Sequence, residues 1–280
     1  MRPLLISLMV LSRTGITSAA DPLAKHDEDY NERRIQEMRK ALGEKDPPQK
    51  EAAPAEVAEE ILKQADQVRN PAVDYTVTVS VTSKKPNGNE KKAVYEVMAS
   101  GRDKAVVKTL KPSIDKGRVL LMRGKDLWAF LPSVSKPLRV SFRERLIGEV
   151  ANGDLARVNF YGDYEPKLLR SEVLDGKTCY VLELTANAEE VTYSRVVLWV
   201  EHETYHPRRA EFYAVSGRLL KTCSYAKYQE MAGRLRPTQL MMSDATVKGQ
   251  HSILEYEQMT VAALPEKYFT KDYLKRLVNK

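Results

Sequence analysis

From Val73 onward the chain alternates apolar and polar residues with a period of two. Tyr75, Val77, Val79 and Val81 are interleaved with Thr76, Thr78, Ser80 and Thr82. Successive strand side chains point to opposite faces, so this pattern specifies a half-buried β-strand. Turn signals then recur at short intervals: Asn87-Gly88, Ser100-Gly101, Gly124, Asp175-Gly176, Ser216-Gly217, Gly233 and Gly249. β-rich segments separated by two-residue turn chemistry predict a meander of antiparallel hairpins. About a dozen strands are expected between Val73 and Thr260. A sheet of that width accumulates twist and must curl or close, which leaves a concave face to be filled.

Helical spacing brackets the β region. Val57, Ile61, Leu62, Ala65 and Val68 share one helical face, and Asn70-Pro71 ends that helix. At the far end Thr270 can cap a short helix running through Tyr273, Leu274 and Leu277. Between Phe142 and Tyr164 the alternation lapses, with Gly148, Gly153 and Gly162 as punctuation. Short helical turns carrying Leu146, Ile147, Val150, Leu155 and Val158 are expected there, as a flap over the open side of the curl. A plain long connection packed on the core is the other reading of the same stretch.

The N-terminal region divides differently. Leu4 to Leu11 is an eight-residue apolar run behind Arg2, and Ser18-Ala19-Ala20 precedes Asp21. That order predicts a cleaved signal peptide over residues 1–20 and an exported chain. The run is too short to span a bilayer, which takes ~20 such residues. Residues 21–54 alternate nine acidic and seven basic side chains with little apolar content, closing on Pro47, Pro48 and Pro54. A charged extension or linker is expected there, with one folded domain over residues 55–280. Neither Cys179 nor Cys223 follows the apolar run, so a mature chain not tethered by its own acyl group is expected. Two intervening strands separate these cysteines, which predicts unpaired, half-buried thiols.

The motifs of common chemistries are absent. No His-Glu-x-x-His, Gly-x-Ser-x-Gly, phosphate loop or dinucleotide fingerprint occurs among the 280 residues. His202 and His206 have a metal-like spacing, but they follow the strand Arg195 to Val200 and precede Pro207. They are read as strand-end residues rather than zinc ligands, and no metal or cofactor is expected. The net charge of +7 fits anionic surfaces or simply a solvated exterior. Bases interleaved with aromatics, as in Arg208 to Tyr213 and Tyr225 to Tyr228, read as amphipathic strands, and no nucleic-acid partner is expected.

An ordered series of segments carries a family resemblance. Leu127-Trp128-Ala129-Phe130-Leu131-Pro132-Ser133 is followed by Lys136 to Phe142, Gly148 to Asp154 and Gly162-Asp163-Tyr164. Then come Cys179 to Leu184, Tyr193 to Val200, Pro207 with Ala210 to Tyr213, and Gly217 to Lys221, with Phe269-Thr270 and Tyr273-Leu274 at the tail. The series resembles the LolA-like outer-membrane lipoprotein-sorting proteins over residues 55–278.

The resemblance implies a mainly β fold: a large curled antiparallel sheet forming a half-open barrel, plugged by short helices. It also implies a periplasmic carrier, not an enzyme, which binds lipid or lipoprotein acyl chains for transfer toward the outer membrane. An inner-membrane exporter and an outer-membrane acceptor are the implied partners. An RseB-like regulator on the same fold, sensing lipid or a protein, is the alternative. By size, Trp128, Phe130 and Trp199 are the expected lining of the cavity. Leu146, Ile147, Leu155 and Val158 are its expected cover.

Overall fold

A computed structural model describes residues 54–278. The expected signal peptide and nearly all of the 21–54 extension lie outside them. Helix α1 (Pro54–Arg69) leads into β1 (Tyr75–Lys84), β2 (Glu90–Ser100), β3 (Lys104–Lys111), β4 (Val119–Arg123), β5 (Asp126–Phe130) and the two-residue β6 (Leu138–Arg139). A small hairpin, β7 (Arg145–Ile147) and β8 (Val150–Ala151), runs into the one-turn helix α2 (Asn152–Ala156). The chain then returns through β9 (Tyr164–Leu174), β10 (Lys177–Ala186), β11 (Arg195–Glu201), β12 (Pro207–Tyr213), β13 (Leu219–Met231), β14 (Arg234–Asp244) and β15 (His251–Val261) to helix α3 (Lys271–Val278).

Among the described residues, thirteen strands form one antiparallel sheet in the order β6-β5-β4-β3-β2-β1-β15-β14-β13-β12-β11-β10-β9. Two meanders are therefore joined where β15 pairs with β1, Lys84 lying opposite His251 and Tyr75 opposite Val261. The sheet is curled but not closed. β4 and β9 stand ten places apart in it, about 48 Å if flat. Yet the Arg157 guanidinium donates both to the Gly124 carbonyl after β4 (2.9 Å) and to Asp163 just before β9 (2.6 and 2.7 Å). Only a strongly curled sheet brings its two ends within one side chain's reach.

Both faces of the sheet are apolar over part of its width. The inner face gathers Val77, Val79 and Val81 of β1, Leu182 and Leu184 of β10, Val196, Leu198 and Val200 of β11, and Leu254 of β15 into one core. Ile61, Leu62 and Ala65 of α1 are at most 4% exposed and fill this core from inside. That apolar stripe, rather than helix propensity, is what stabilises this helix. The outer face of β3 to β5 carries Val106, Val119, Leu121 and Phe130, covered by Phe269 and Leu274. The expected cap is present, the Tyr273 amide donating to Thr270 Oγ1 at 3.4 Å.

Candidate functional site

The segment between β6 and β9 crosses the inner face and plugs it. Its first half is the β7–β8 hairpin rather than the helical turns expected, since a Gly148-centred reversal between short extended arms uses the chain more tightly. Gly148 has φ +52° and lies so close to Ser83 of β1 and Ser252 of β15 that a Cβ would collide with both hydroxyls. The next amide, Glu149 N, donates to Ser252 Oγ at 2.9 Å. The hairpin thus seats on the line where the two meanders join.

Two buried charge clusters hold the plug. The Asp154 carboxylate accepts from Lys221 Nζ (2.6 Å), the Tyr193 hydroxyl (2.7 Å) and the Ala151 amide (2.8 Å). Lys221 and Asp154 side chains are each 5% exposed. Burial and the adjacent Asp154 charge push the Tyr193 phenol far up, so it stays a donor. At the other end of the plug, Asp66 of α1 accepts the Phe160 and Tyr161 amides, both at 2.6 Å, and pairs with Arg69 at 2.9 Å. Burial raises the Asp66 carboxyl, with Arg69 and the two amides pulling the other way. The Arg69 guanidinium lies 4.1 Å from the Phe160 ring centroid.

The space left between plug and sheet is small. A cavity of about 40 Å³ lies among Asp154, Val158, Tyr193, Phe212, Tyr225 and Met242. That admits a few waters at most, far short of the ~300–1,000 Å³ of a small-molecule site. Larger grooves open beside the plug. One of about 870 Å³ follows the seam between β5 and the β10–β11 turn, and one of about 290 Å³ runs between Leu146 and the inner faces of β2 to β5.

Three of the expected lining residues face the other way. Trp128 and Phe130 pack on the outer face against α3, with Lys271 Nζ 3.1 Å from the Trp128 ring centroid. Their neighbour Leu127 points inward. Trp199 is also outward, beside Cys179, Val181 and Val197, its indole donating to Glu172 at 2.5 Å. Size misled here because both faces are covered. Leu146 and Ile147 are half-buried against the inner core, Leu155 is within it, and Val158 lines the small cavity. Lys221, Asp154 and Tyr193 were not expected. The signal for Lys221 was its parity, since it alternates into the buried face with Cys223 and Tyr225.

Cys179 and Cys223 are free and, contrary to the half-buried expectation, buried to 0% and 1%. They lie on opposite faces of the sheet, which keeps them apart. Burial pushes the Cys223 thiol up to about 12, leaving no nucleophilic thiolate near neutral pH. His202 stacks on Tyr180 and His206 on Tyr228, with centroids 3.7 and 4.2 Å apart. Among the described residues no group of three metal-type ligands occurs, and no helix is long and apolar enough to cross a membrane.

A curled, unclosed sheet with an internal plug defines a class of binding folds, and the comparisons place the chain within it. A family model described only as an uncharacterized-protein-like family matches residues 101–276. A solved LolA superfamily protein from Nitrosomonas europaea is 46% identical, over 77% of this chain and 98% of that one, with a TM-score of 0.74. A putative outer membrane lipoprotein-sorting protein domain from Vibrio parahaemolyticus shares the fold at 24% identity and TM-score 0.69, over 79% of this chain and all of that one. A DUF1329 family protein from Desulfovibrio piger does so at 23% and 0.70, over 80% and all. No curated protein matches. The chain belongs to the LolA superfamily.

Proposed function

We propose that this protein is a periplasmic carrier that takes lipid or lipoprotein acyl chains into the inner face of its sheet. The observation that carries the reading is the plug: an apolar concave face filled by a chain segment that is held at a few polar points. Membership of the LolA superfamily supports it, as does the fold shared with a lipoprotein-sorting domain. Export through a cleaved signal over residues 1–20, and an extension that spaces the domain from it, belong to the same proposal.

The energetics suit reversible transfer. Each methylene brought into water costs ~0.8 kcal/mol, so a sixteen-carbon chain costs about 12 kcal/mol to extract unaided. A carrier offsets most of this by offering apolar lining, and a plug that returns on release shields that lining from water between cargoes. No covalent step is required.

Displacement of a fluorescent fatty acid tests the proposal. The wild type is expected to bind it, and Leu146→Glu to weaken binding about tenfold or more, because a carboxylate then stands where an acyl chain would lie. Circular dichroism should show the β content retained, since Leu146 is only half-buried. Leu155, 2% exposed, is the wrong probe because a charge there would cost the fold itself. A wild type that binds no fatty acid overturns the reading. Binding of lipid without its release to an acylated acceptor would favour the sensing alternative.

A further inference from the structure

The two most exposed large hydrophobic side chains among the described residues, Ile114 and Val215, sit on turns at the same edge of the sheet. Register sets Lys84 opposite both Glu90 and His251, Lys108 opposite Val119, and Tyr213 opposite Leu219. The turns 85–89, 112–118, 214–218 and 245–250 therefore share this edge. The β7–β8 hairpin stands among them. Arg145 lines one groove with Asp115 and Arg118 and another with Arg218 and Thr246.

Three of these turn tips expose an aliphatic side chain: Ile114 at 89%, Val215 at 78% and Val247 at 40%. A single exposed aliphatic residue is ordinary. Here each stands beside cations that have no carboxylate partner among the described residues: Lys111 and Lys116 near Ile114, Arg218 near Val215, and Lys248 near Val247. At the opposite edge Val173 and Leu235 are less exposed, at 69% and 50%, and four cations share two carboxylates. Lys104 and Arg123 both reach Glu266, and Lys177 and Arg208 both reach Glu201.

We propose that this edge docks the protein on an anionic lipid bilayer, with Ile114 and Val215 entering the headgroup layer and the neighbouring cations on lipid phosphates. The apolar tips sit on three separate turns, β3–β4, β12–β13 and β14–β15, and are not gathered on one element. A fluid surface takes scattered anchors, while clustered cations supply the attraction. The orientation rests on the carrier reading for its use: it sets the plug hairpin against the membrane, where an acyl chain would pass without crossing open water.

Vesicle flotation of the full chain tests this, using phosphatidylglycerol–phosphatidylethanolamine vesicles against pure phosphatidylcholine ones. The wild type is expected to float with the anionic vesicles only, and less so as added salt shortens the screening length. Each Lys or Arg near such a surface strengthens binding about fivefold, so Lys116→Glu with Arg218→Glu should weaken it by roughly twenty-fivefold or more. Ile114→Ser alone should also reduce flotation, and this variant and the charge variant should both keep wild-type fatty-acid affinity. A wild type that ignores anionic vesicles, or edge variants that float as it does, overturns the docking proposal. Edge-dependent flotation by a protein that binds no fatty acid would leave docking standing and remove the carrier reading.

Discussion

Replacing Lys221 with methionine is expected to cost the fold about 3–5 kcal/mol, the usual penalty for stranding one partner of a buried ion pair. Asp154 and Lys221 are each 5% exposed and 2.6 Å apart, and Lys221 is the cation paired with that carboxylate among the described residues. Methionine fills the space but leaves the Asp154 charge without a cation, held by the Tyr193 hydroxyl and the Ala151 amide. Adding Asp154→Asn should recover most of the loss, because asparagine still accepts from Ala151 and carries no charge. Urea unfolding of the single and double variants measures both effects. A single variant within about 1 kcal/mol of wild type would mean that the pair is solvated and does not hold the plug.

The second large effect belongs to the outer face. Phe269 is 0% exposed and packs with Leu274 over Val106, Val119, Leu121 and Phe130. Phe269→Ala is expected to cost about 3–5 kcal/mol through lost burial and the cavity left behind. The loss should also loosen α3, whose Lys271 stacks on Trp128. Indole emission should then shift to the red, as the Trp128 ring gains water. Stability within about 1 kcal/mol of wild type would show that α3 is dispensable as a cover.

How far the residues could be read depended on whether one face or two were buried. β1 was plain because its outer residues are Thr and Ser, so period two had contrast to show. The same holds for α1, where one apolar stripe meets one core. β5 and β11 lack that contrast. In β11 every residue from Val196 to Glu201 is buried, so alternation is lost and the larger aromatic marks neither face. Size alone points Trp128, Phe130 and Trp199 inward; the cover that turns Trp128 and Phe130 outward, α3 and its neighbours, lies over 130 residues downstream of Phe130, while Trp199 packs outward beside Cys179, Val181 and Val197.

The plug was visible as an interruption of the β pattern, but its arms of two or three residues are too short to show a period. Its charge clusters join residues far apart in the chain, Asp66 with Phe160 and Asp154 with Lys221, which no local pattern reports. A lysine at an inward parity in β13 was the one available hint.

Amide hydrogen exchange on the plug, with and without saturating fatty acid, tests most directly whether cargo enters by displacing it. In the closed state Glu149 N is bonded to Ser252, Ala151 N to Asp154, Asn152 N to the Glu144 carbonyl and Gly153 N to the Phe142 carbonyl. If acyl chains take the place of the hairpin and α2, these four amides should lose protection on loading, while the paired amides of β1 and β15 keep theirs. Unchanged protection at all four, in protein shown to be saturated, would mean that the plug stays shut and that cargo does not enter by displacing it.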